Sequence, residues 1–258
     1  AASDVYKRQE MEAYFENLEK KADKCYTLVE KVRKAGFDPS DSPEIPRAKD
    51  LAERVEAQVG PEGIAPRIRE VAEVNDREST ALIIAKELAG KLKSELGLEK
   101  ALEQAVRTSL SILTEGVLVA PTEGVVKVST LENSNKTKCA SIYYAGPIGA
   151  AGGTAQALSV LIADVVRREL DLDPYIPTPA EIERYKEEIP LYKRAVNLQY
   201  VPSPDEIHTI VTSCPICITG ERTDKLEVAG NRDLPRVETN SLRGGACPVS
   251  YTHLRAHE

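Results

Sequence analysis

A run of glycines between a strand-like and a helix-like segment is the first place in this sequence that could do chemistry. Residues 142–154 read IYYAGPIGAAGGT, and a strong apolar helical period follows them. Converging backbone amides at a glycine turn, together with the positive end of the next helix, suit an anion such as phosphate. Gly152, Gly153 and Thr154 are therefore candidate contacts to phosphate or to a nucleic-acid backbone. The alternative is that the glycines only let the helix pack closely on a sheet, since no G-x-G-x-x-G or P-loop pattern is present.

Three arginines near the end of the chain form a second candidate site. Arg232, Arg236 and Arg243 stand among Asp233 and Glu238, which gives a local charge of +1 in an acidic chain. Arginines beside flexible glycines can clamp phosphate through two parallel hydrogen bonds. They can equally pair with neighbouring carboxylates and so order a loop. The sequence leaves both interpretations open.

Cys214-Pro-Ile-Cys217 has the spacing of half a zinc site. A complete site needs four ligands, and the remaining candidates are His208 and Cys247. A redox dithiol and a pair of packed thiols are the alternatives, and we expect packed thiols. Five cysteines without an export signal predict reduced thiols and a cytoplasmic location.

Both ends of the chain look foreign to the rest of it. Residues 1–9 (AASDVYKRQ) show no regular period, and residues 247–258 break with what precedes them. We expect these two segments to be non-native, derived from sequencing adapters, so His253 and His257 receive no functional weight. Without them, no Ser-His-Asp set is credible, and H-E-x-x-H does not occur. Local chemistry alone therefore predicts no active site and no catalytic residue.

Composition limits the classes of protein to which the chain can belong. The 258 residues are 41% hydrophobic and 29% charged, which excludes collagen-like and wholly disordered chains. No stretch approaches the roughly 18 apolar residues of a membrane-spanning helix. The net charge of −7 makes the chain a poor stand-alone binder of nucleic acid, because phosphate neutralisation needs clustered Lys and Arg.

Apolar periodicity predicts the elements that position these residues. A period of 3.6 predicts helices over 11–35, 47–59, 64–74, 78–88, 98–113 and 154–170. Apolar and β-branched runs predict strands over 116–120, 125–129, 141–145, 216–219 and 226–229. Thr178 and Ser203 each begin a capping box with proline at the first helical position, which predicts two further short helices.

These elements predict an α+β fold. A helical, bundle-like region covers residues 10–115. A mixed α/β region follows over 116–246, with short strands and the unit of glycine loop and helix.

Several long blocks of the sequence resemble a known family. They are YFENLEKKADKCY (14–26), EIPRAKDLAERVE (44–56), AVRTSLSILTEGV (105–117), IYYAGPIGAAGGTAQALSVLIADVVRREL (142–170), ITGERTD (218–224) and RDLPRVETNSLRGGA (232–246). Together they are similar to the start of the large subunit of archaeal D-family DNA polymerase, also called archaeal DNA polymerase II. One departure is Gly149-Ala150, where the family has a basic Arg-Ser pair.

The resemblance implies a replicative, template-directed DNA polymerase that works as a heterodimer. Its partners would be a small subunit with 3′-to-5′ exonuclease activity, primer–template DNA and a sliding clamp, with no membrane. Mg²⁺, held by acidic residues of a double-psi β-barrel, would serve nucleotidyl transfer. Zinc-binding modules would lie toward the far end of the family's chain. None of these ligands matches a position in this sequence.

The sequence is therefore interpreted as the amino-terminal part of such a large subunit, inactive by itself. Its expected role is to hold the catalytic core, to contact the small subunit or to line the DNA path with Arg232, Arg236 and Arg243. A stand-alone nucleic-acid-binding replication module is one alternative. A small phosphate-ligand enzyme that uses the 146–154 loop is another.

Overall fold

The structure is a computed structural model that describes residues 2–37, 47–114, 124–145, 153–195, 201–223, 225–247 and 249. The chain divides into two compact units, Ala1–Lys49 and Asp50–Glu258. The predicted strand over 116–120 and the loop residues 146–152 lie outside the described residues. The α+β fold class is confirmed.

Residues 2–37, which make up most of the described part of the first unit, form one long helix and a terminal turn. Helix α1 spans Ala2–Val32 and continues into a single π-helical turn, Arg33–Phe37. The turn contains Gly36 at φ 82°, a left-handed conformation that glycine favours at the ends of helices. The helix begins nine residues before its predicted start at residue 11, since the preceding residues contain no glycine or proline that would break a helix.

One side of α1 carries large apolar side chains that remain exposed. They recur at helical spacing, as the sequence predicted for an amphipathic helix. In order along the unit they are Met11, Tyr14, Phe15, Leu18, Leu28, Val29, Val32 and Phe37.

Four helices begin the second unit. They are α2 (Leu51–Gln58), α3 (Ala65–Ala72), α4 (Arg77–Leu96) and α5 (Leu98–Leu113). Asp50 and Asp76 cap α2 and α4 by accepting hydrogen bonds from the backbone N–H groups of Glu53 and Ser79 at 2.8 and 2.7 Å. Helix α4 runs eight residues past its predicted end at residue 88, because Ala89 and Leu92 continue its buried side.

A three-stranded mixed sheet follows, in the order β1-β2-β3. Strands β1 (Val125–Glu132) and β2 (Lys138–Tyr144) form an antiparallel hairpin, and β3 (Cys217–Gly220) lies parallel to β2. The segment predicted as a strand over 226–229 makes only an isolated bridge, between Glu227 and Ser241.

Helix α6 (Gly153–Glu169) connects the sheet to the helices before it. The hydroxyl groups of Tyr144 on β2 and Ser159 on α6 lie 2.7 Å apart and form a buried hydrogen bond. One apolar cluster contains buried residues of α2 to α6 and of all three strands. The predicted boundary near residue 115 between a helical and an α/β region stays a prediction, although residues from both sides share this core.

Two capped helices complete the unit. Helix α7 (Pro179–Ala195) begins at the capping box of Thr178, and α8 (Pro204–Ser213) begins at that of Ser203. In the first box Thr178 N–H donates to Glu181 at 2.7 Å and Glu181 N–H donates back at 3.3 Å. Both predicted helix starts are confirmed, but α7 has 17 residues and is not short. Among the described residues, no helix has the length and apolar character that crossing a bilayer requires.

Candidate functional site

Helix α7 holds the segment 225–247 through carboxylates that it presents along its length. Glu188 lies at the centre of this contact and is fully buried. Arg243 donates to it from its backbone N–H at 2.7 Å, from Nη2 at 2.7 Å and from Nε at 3.1 Å. Such a charge-assisted, two-pronged pair is the strongest hydrogen-bonding geometry that side chains offer. Arg243, a candidate phosphate contact, is thus 1% exposed and turned toward Glu188.

A second buried arginine completes this cluster. Arg184, one helical turn before Glu188, donates to it from Nε at 3.2 Å. Its Nη2 donates to the carbonyl oxygens of Thr239 and Ser241, each at 3.0 Å. The two guanidinium groups and one carboxylate leave one net positive charge inside the protein. Backbone carbonyl dipoles of the segment partly compensate that charge.

The electrostatics of the cluster favour its charged form. Burial by itself would raise the pKa of Glu188, but the charge and hydrogen bonds of Arg243, with the charge of Arg184, hold it below its ordinary value of 4.5. Burial would lower the pKa of Arg243, and Glu188 more than reverses that effect. The guanidinium of Arg243 also lies over the ring of Tyr185, with Cζ 5.0 Å from the ring centre. Glu188 and Arg243 therefore stay charged at neutral pH.

Arg236 is held in the same manner at the start of α7. Its Nε donates to Glu181 at 2.8 Å, and its Nη2 donates to the carbonyl oxygen of Ile176 at 3.0 Å. Its guanidinium also lies over the ring of Tyr175, with Cζ 4.9 Å from the ring centre. Glu181 thus closes the capping box of Thr178 and binds Arg236 with the same carboxylate.

Arg232 is the most accessible of the three predicted arginines. Its Nη2 pairs with Glu227 at 2.8 Å, and the two side chains are 44% and 48% exposed. Nearby, Glu187 of α7 accepts from the backbone N–H groups of Ala229 and Gly230. Arg232 therefore keeps room for a further partner at the surface, and its predicted phosphate contact stays a prediction.

The three predicted arginines thus take carboxylate partners, as one of the two sequence-based interpretations expected. Their partners are not Asp233 and Glu238, however. They are Glu227, Glu181 and Glu188, of which the last two lie on a helix some 55 residues earlier in the chain.

Cys214 and Cys217 are both buried and lie in different apolar clusters. The thiol of Cys214 faces the carbonyl oxygen of Ile216 at 3.2 Å. Burial raises the pKa of Cys214 to about 11 and that of Cys217 to about 12, so both are thiols at neutral pH. His208, a further candidate ligand, is exposed on α8.

The glycine loop can be described only where it enters the helix. Gly153 is the first residue of α6, and Thr154 is the second. Gly152 lies outside the described residues. The predicted strand before the loop and the predicted helix after it are both present, since β2 ends at Tyr144 and α6 begins at Gly153. The anion contact at Gly152, Gly153 and Thr154 stays a prediction.

Comparison with known families decides to which one the chain is related. The family described as DNA polymerase II large subunit DP2, N-terminal, matches residues 13–256. The chain belongs to this family.

Curated relatives carry the same name as the family. The chain is 52% identical over 240 residues to the DNA polymerase II large subunit of Methanosphaera stadtmanae, a match that covers 90% of this chain and 21% of the relative. It is 52% identical over 237 residues to that of Methanothermobacter thermautotrophicus, covering 90% and 22%. The large subunit of Archaeoglobus fulgidus is 49% identical over 247 residues, covering 95% and 21%. The chain thus spans about a fifth of the length of these DNA polymerase II large subunits.

The metals that the family implies do not fit this part of it. Among the residues that the structure describes, no three or more His, Cys, Asp or Glu side chains group as metal ligands would. The described residues therefore offer no cluster of ligands for Mg²⁺ or zinc.

Sequence reasoning missed the residues of α7 that organise this N-terminal part of the large subunit. Glu188 and Arg184 are spaced by four residues on a helix, which normally marks a solvated surface pair. The buried Ile182, Tyr185 and Ile189 lie on the same helix. The only available signal was that charged residues of α7 share a helix with this apolar stripe. That signal cannot reveal that Glu188 has a partner 55 residues away.

Proposed function

We propose that the chain is the amino-terminal part of the large subunit of an archaeal replicative DNA polymerase, whose whole protein carries out template-directed DNA synthesis. The family match over residues 13–256 supports this proposal, since it covers nearly all of the chain. Identity near 50% to several large subunits supports it further. The reaction would add deoxynucleotides to a DNA 3′ end.

The role proposed for this part is that of a scaffold. The observation that carries it is the buried contact of Arg184, Glu188 and Arg243, which fixes a long loop segment against a helix. A rigid segment of this kind suits the support of a neighbouring catalytic body better than chemistry. The charged groups in it have no exposed face from which they could act on a substrate.

The remaining functions belong to other parts of the complex. Carboxylates that hold Mg²⁺ would lie beyond this region of the large subunit, as would the zinc modules. The small subunit would supply 3′-to-5′ exonuclease activity, and a sliding clamp would bind elsewhere. This chain would contribute contacts to the catalytic core, to the small subunit and to primer–template DNA.

Primer extension by the purified chain tests the division of labour. With Mg²⁺, all four deoxynucleotides and a labelled primer–template, the 258-residue chain should give no product. A commercial polymerase added to the same mixture shows that the substrate is intact. Measurable extension by the chain, abolished by chelation of Mg²⁺, would show that a catalytic centre lies within it and would refute the scaffold role.

A further inference from the structure

Two arginines of the second unit differ from the rest in having no partner. Within the described part of the chain, Arg194 and Arg222 make no hydrogen bond or ion pair and are exposed. The other described arginines of this unit each have a partner, and all of them except Arg77 are seen to donate to carboxylates or carbonyl groups, including the exposed ones on α3 and α6. In a unit that satisfies its guanidinium groups so consistently, two free ones mark a place where an external anion could bind.

Arg222 has a fixed backbone at the edge of the sheet. The residue before it, Glu221, donates its N–H to the carbonyl oxygen of Tyr144 at 2.9 Å, which extends the pairing of β3 with β2 by one step. The residue after it, Thr223, donates its N–H to the carbonyl oxygen of Leu242 at 2.9 Å and accepts from the N–H of Gly244 at 2.9 Å. The free side chain therefore projects from a backbone that is anchored on both sides.

This edge is where the carboxyl ends of two parallel strands meet. Strand β2 ends at Tyr144 and β3 ends at Gly220, and their parallel register pairs these two residues. The chain after β2 leads to the start of α6 at Gly153. In open α/β arrangements, ligands bind outside the carboxyl ends of parallel strands.

Arg194 lies near the end of α7, next to Lys193, which is also exposed and unpaired. Tyr192, which lies in the same turn of α7, is a near neighbour of Cys247. Thr223, the neighbour of Arg222, is anchored to Leu242 and Gly244 of that same segment. The segment 242–247 therefore links the positions of the two free arginines.

We propose that Arg222, with Arg194, contacts the phosphodiester backbone of DNA. The inference rests on the proposed function, and it moves the phosphate contact away from the predicted residues. Arg243 and Arg236 are held by Glu188 and Glu181, and to reach DNA each would have to break an ion pair with a buried carboxylate. A free exposed guanidinium carries no such cost.

The carboxylates near this edge set a limit on the contact. Glu221 and Glu238 lie near Tyr143 of β2. These two carboxylates would repel a phosphate that approached over the ring of Tyr143. The DNA backbone should therefore lie over the free arginines and away from that ring. A backbone contact gives affinity without base preference.

The salt dependence of DNA binding tests the proposal. Anisotropy of a labelled primer–template titrated with the 258-residue chain would be measured between about 50 and 200 mM NaCl, where counterion release sets the slope. Arg222→Ala should weaken binding about tenfold at the lowest salt, as loss of a charge-assisted hydrogen bond does. It should also reduce the slope of log K against log salt by about one. Addition of Arg194→Ala should reduce the slope by about one more.

Lys86→Ala is the matched control, since Lys86 is an exposed, unpaired cation on α4 and its loss changes the net charge equally. Arg232→Ala tests the predicted loop. Equal effects of Arg222→Ala and Lys86→Ala would refute the proposal, as would a chain that does not bind DNA. Neither result would bear on polymerase membership, which primer extension by the complete heterodimer reports separately. The proposal is supported if Arg222→Ala reduces the slope of log K against log salt while Lys86→Ala and Arg232→Ala leave that slope unchanged.

Discussion

Glu188 binds Arg243 through both the backbone and the guanidinium of the arginine, and both side chains lie in the interior. The backbone N–H and Nη2 donate at 2.7 Å each. One carboxylate accepts from a main-chain donor and a side-chain donor of the same residue. It therefore fixes the position of the 242–247 segment and also pairs with the charge of the guanidinium group. That segment in turn carries Gly245, whose α-carbon lies against the end of β2.

Loss of Arg243 should destabilise the second unit strongly. Arg243→Ala leaves Glu188 buried with Arg184 as its remaining cation, and removal of one partner of a buried pair costs about 3–5 kcal/mol. Urea unfolding followed by circular dichroism measures the loss. The matched variant is Arg232→Ala, whose pair with Glu227 is half exposed and should contribute about 1 kcal/mol or less. Similar losses for the two variants would show that the buried cluster does not organise the segment.

Acid should weaken the unit through Glu188. Its pKa is lower in the folded than in the unfolded chain, so its contribution to stability is complete above the ordinary value of 4.5 and is lost as pH falls through the folded value. Glu188→Gln should therefore lower the free energy of unfolding at neutral pH and flatten the decline of that free energy as pH falls below the ordinary value of 4.5. The control is Glu73→Gln, at an exposed position. If the free energy of unfolding of Glu188→Gln fell in acid as steeply as that of the unsubstituted chain, Glu188 would not be the source of the acid sensitivity.

Close packing at Gly245 should make that position intolerant of any side chain. A β-carbon there would stand 2.1 Å from the carbonyl oxygen of Ala145, so Gly245→Ala should destabilise by about 3 kcal/mol through overpacking. At Gly90 on α4 the nearest atom is 3.8 Å away, on the flexible side chain of Glu169. Gly90→Ala should therefore stabilise by up to about 1 kcal/mol through helix propensity. Thermal unfolding of both variants checks the opposite signs.

The cysteines should react at two very different rates. Cys25 is exposed, whereas Cys139, Cys214, Cys217 and Cys247 are buried. Since thiolates are the reacting form and burial raises the pKa of Cys214 and Cys217 to about 11 and 12, one thiol should react quickly with a disulfide reagent at about pH 8. Cys25→Ser should abolish the fast phase, and unfolding in urea should release the others. A fast phase that survives Cys25→Ser would show that a C-x-x-C thiol is accessible.

Local signals accounted for the elements well. The helix over 98–113 has the predicted bounds, because an uninterrupted apolar period runs to Leu113 and the polar Thr114 follows it. Both capping boxes begin helices, since hydroxyl, proline and glutamate occupy fixed positions in each. Helix α4 was underestimated because Gly90 and Lys93 interrupt the pattern, while the packing of Leu92 in the core continues the helix.

The site was less predictable, because its decisive contacts join distant parts of the chain. The sequence singled out Arg236 and Arg243 as candidates for a phosphate contact or a carboxylate pair, but it did not reveal the depth at which Arg243 is buried. Their carboxylate partners lie about 55 residues earlier, and nothing in the composition of α7 distinguishes a buried glutamate from a solvated one. The exposed large apolar side chains of the described residues lie outside the segment 225–247, notably on α1.

A chimera tests the central proposal most directly. Residues 13–246 of this chain would replace the matching region of the Methanothermobacter thermautotrophicus large subunit, which is 52% identical over the aligned residues. The chimera would be purified with that organism's own small subunit and assayed for Mg²⁺-dependent primer extension. If this region is a polymerase large-subunit scaffold, the chimera should extend the primer at a rate within about tenfold of the parent, a loss of no more than about 1.4 kcal/mol in the activation barrier. A folded, correctly assembled chimera that gives no extension would contradict the proposal.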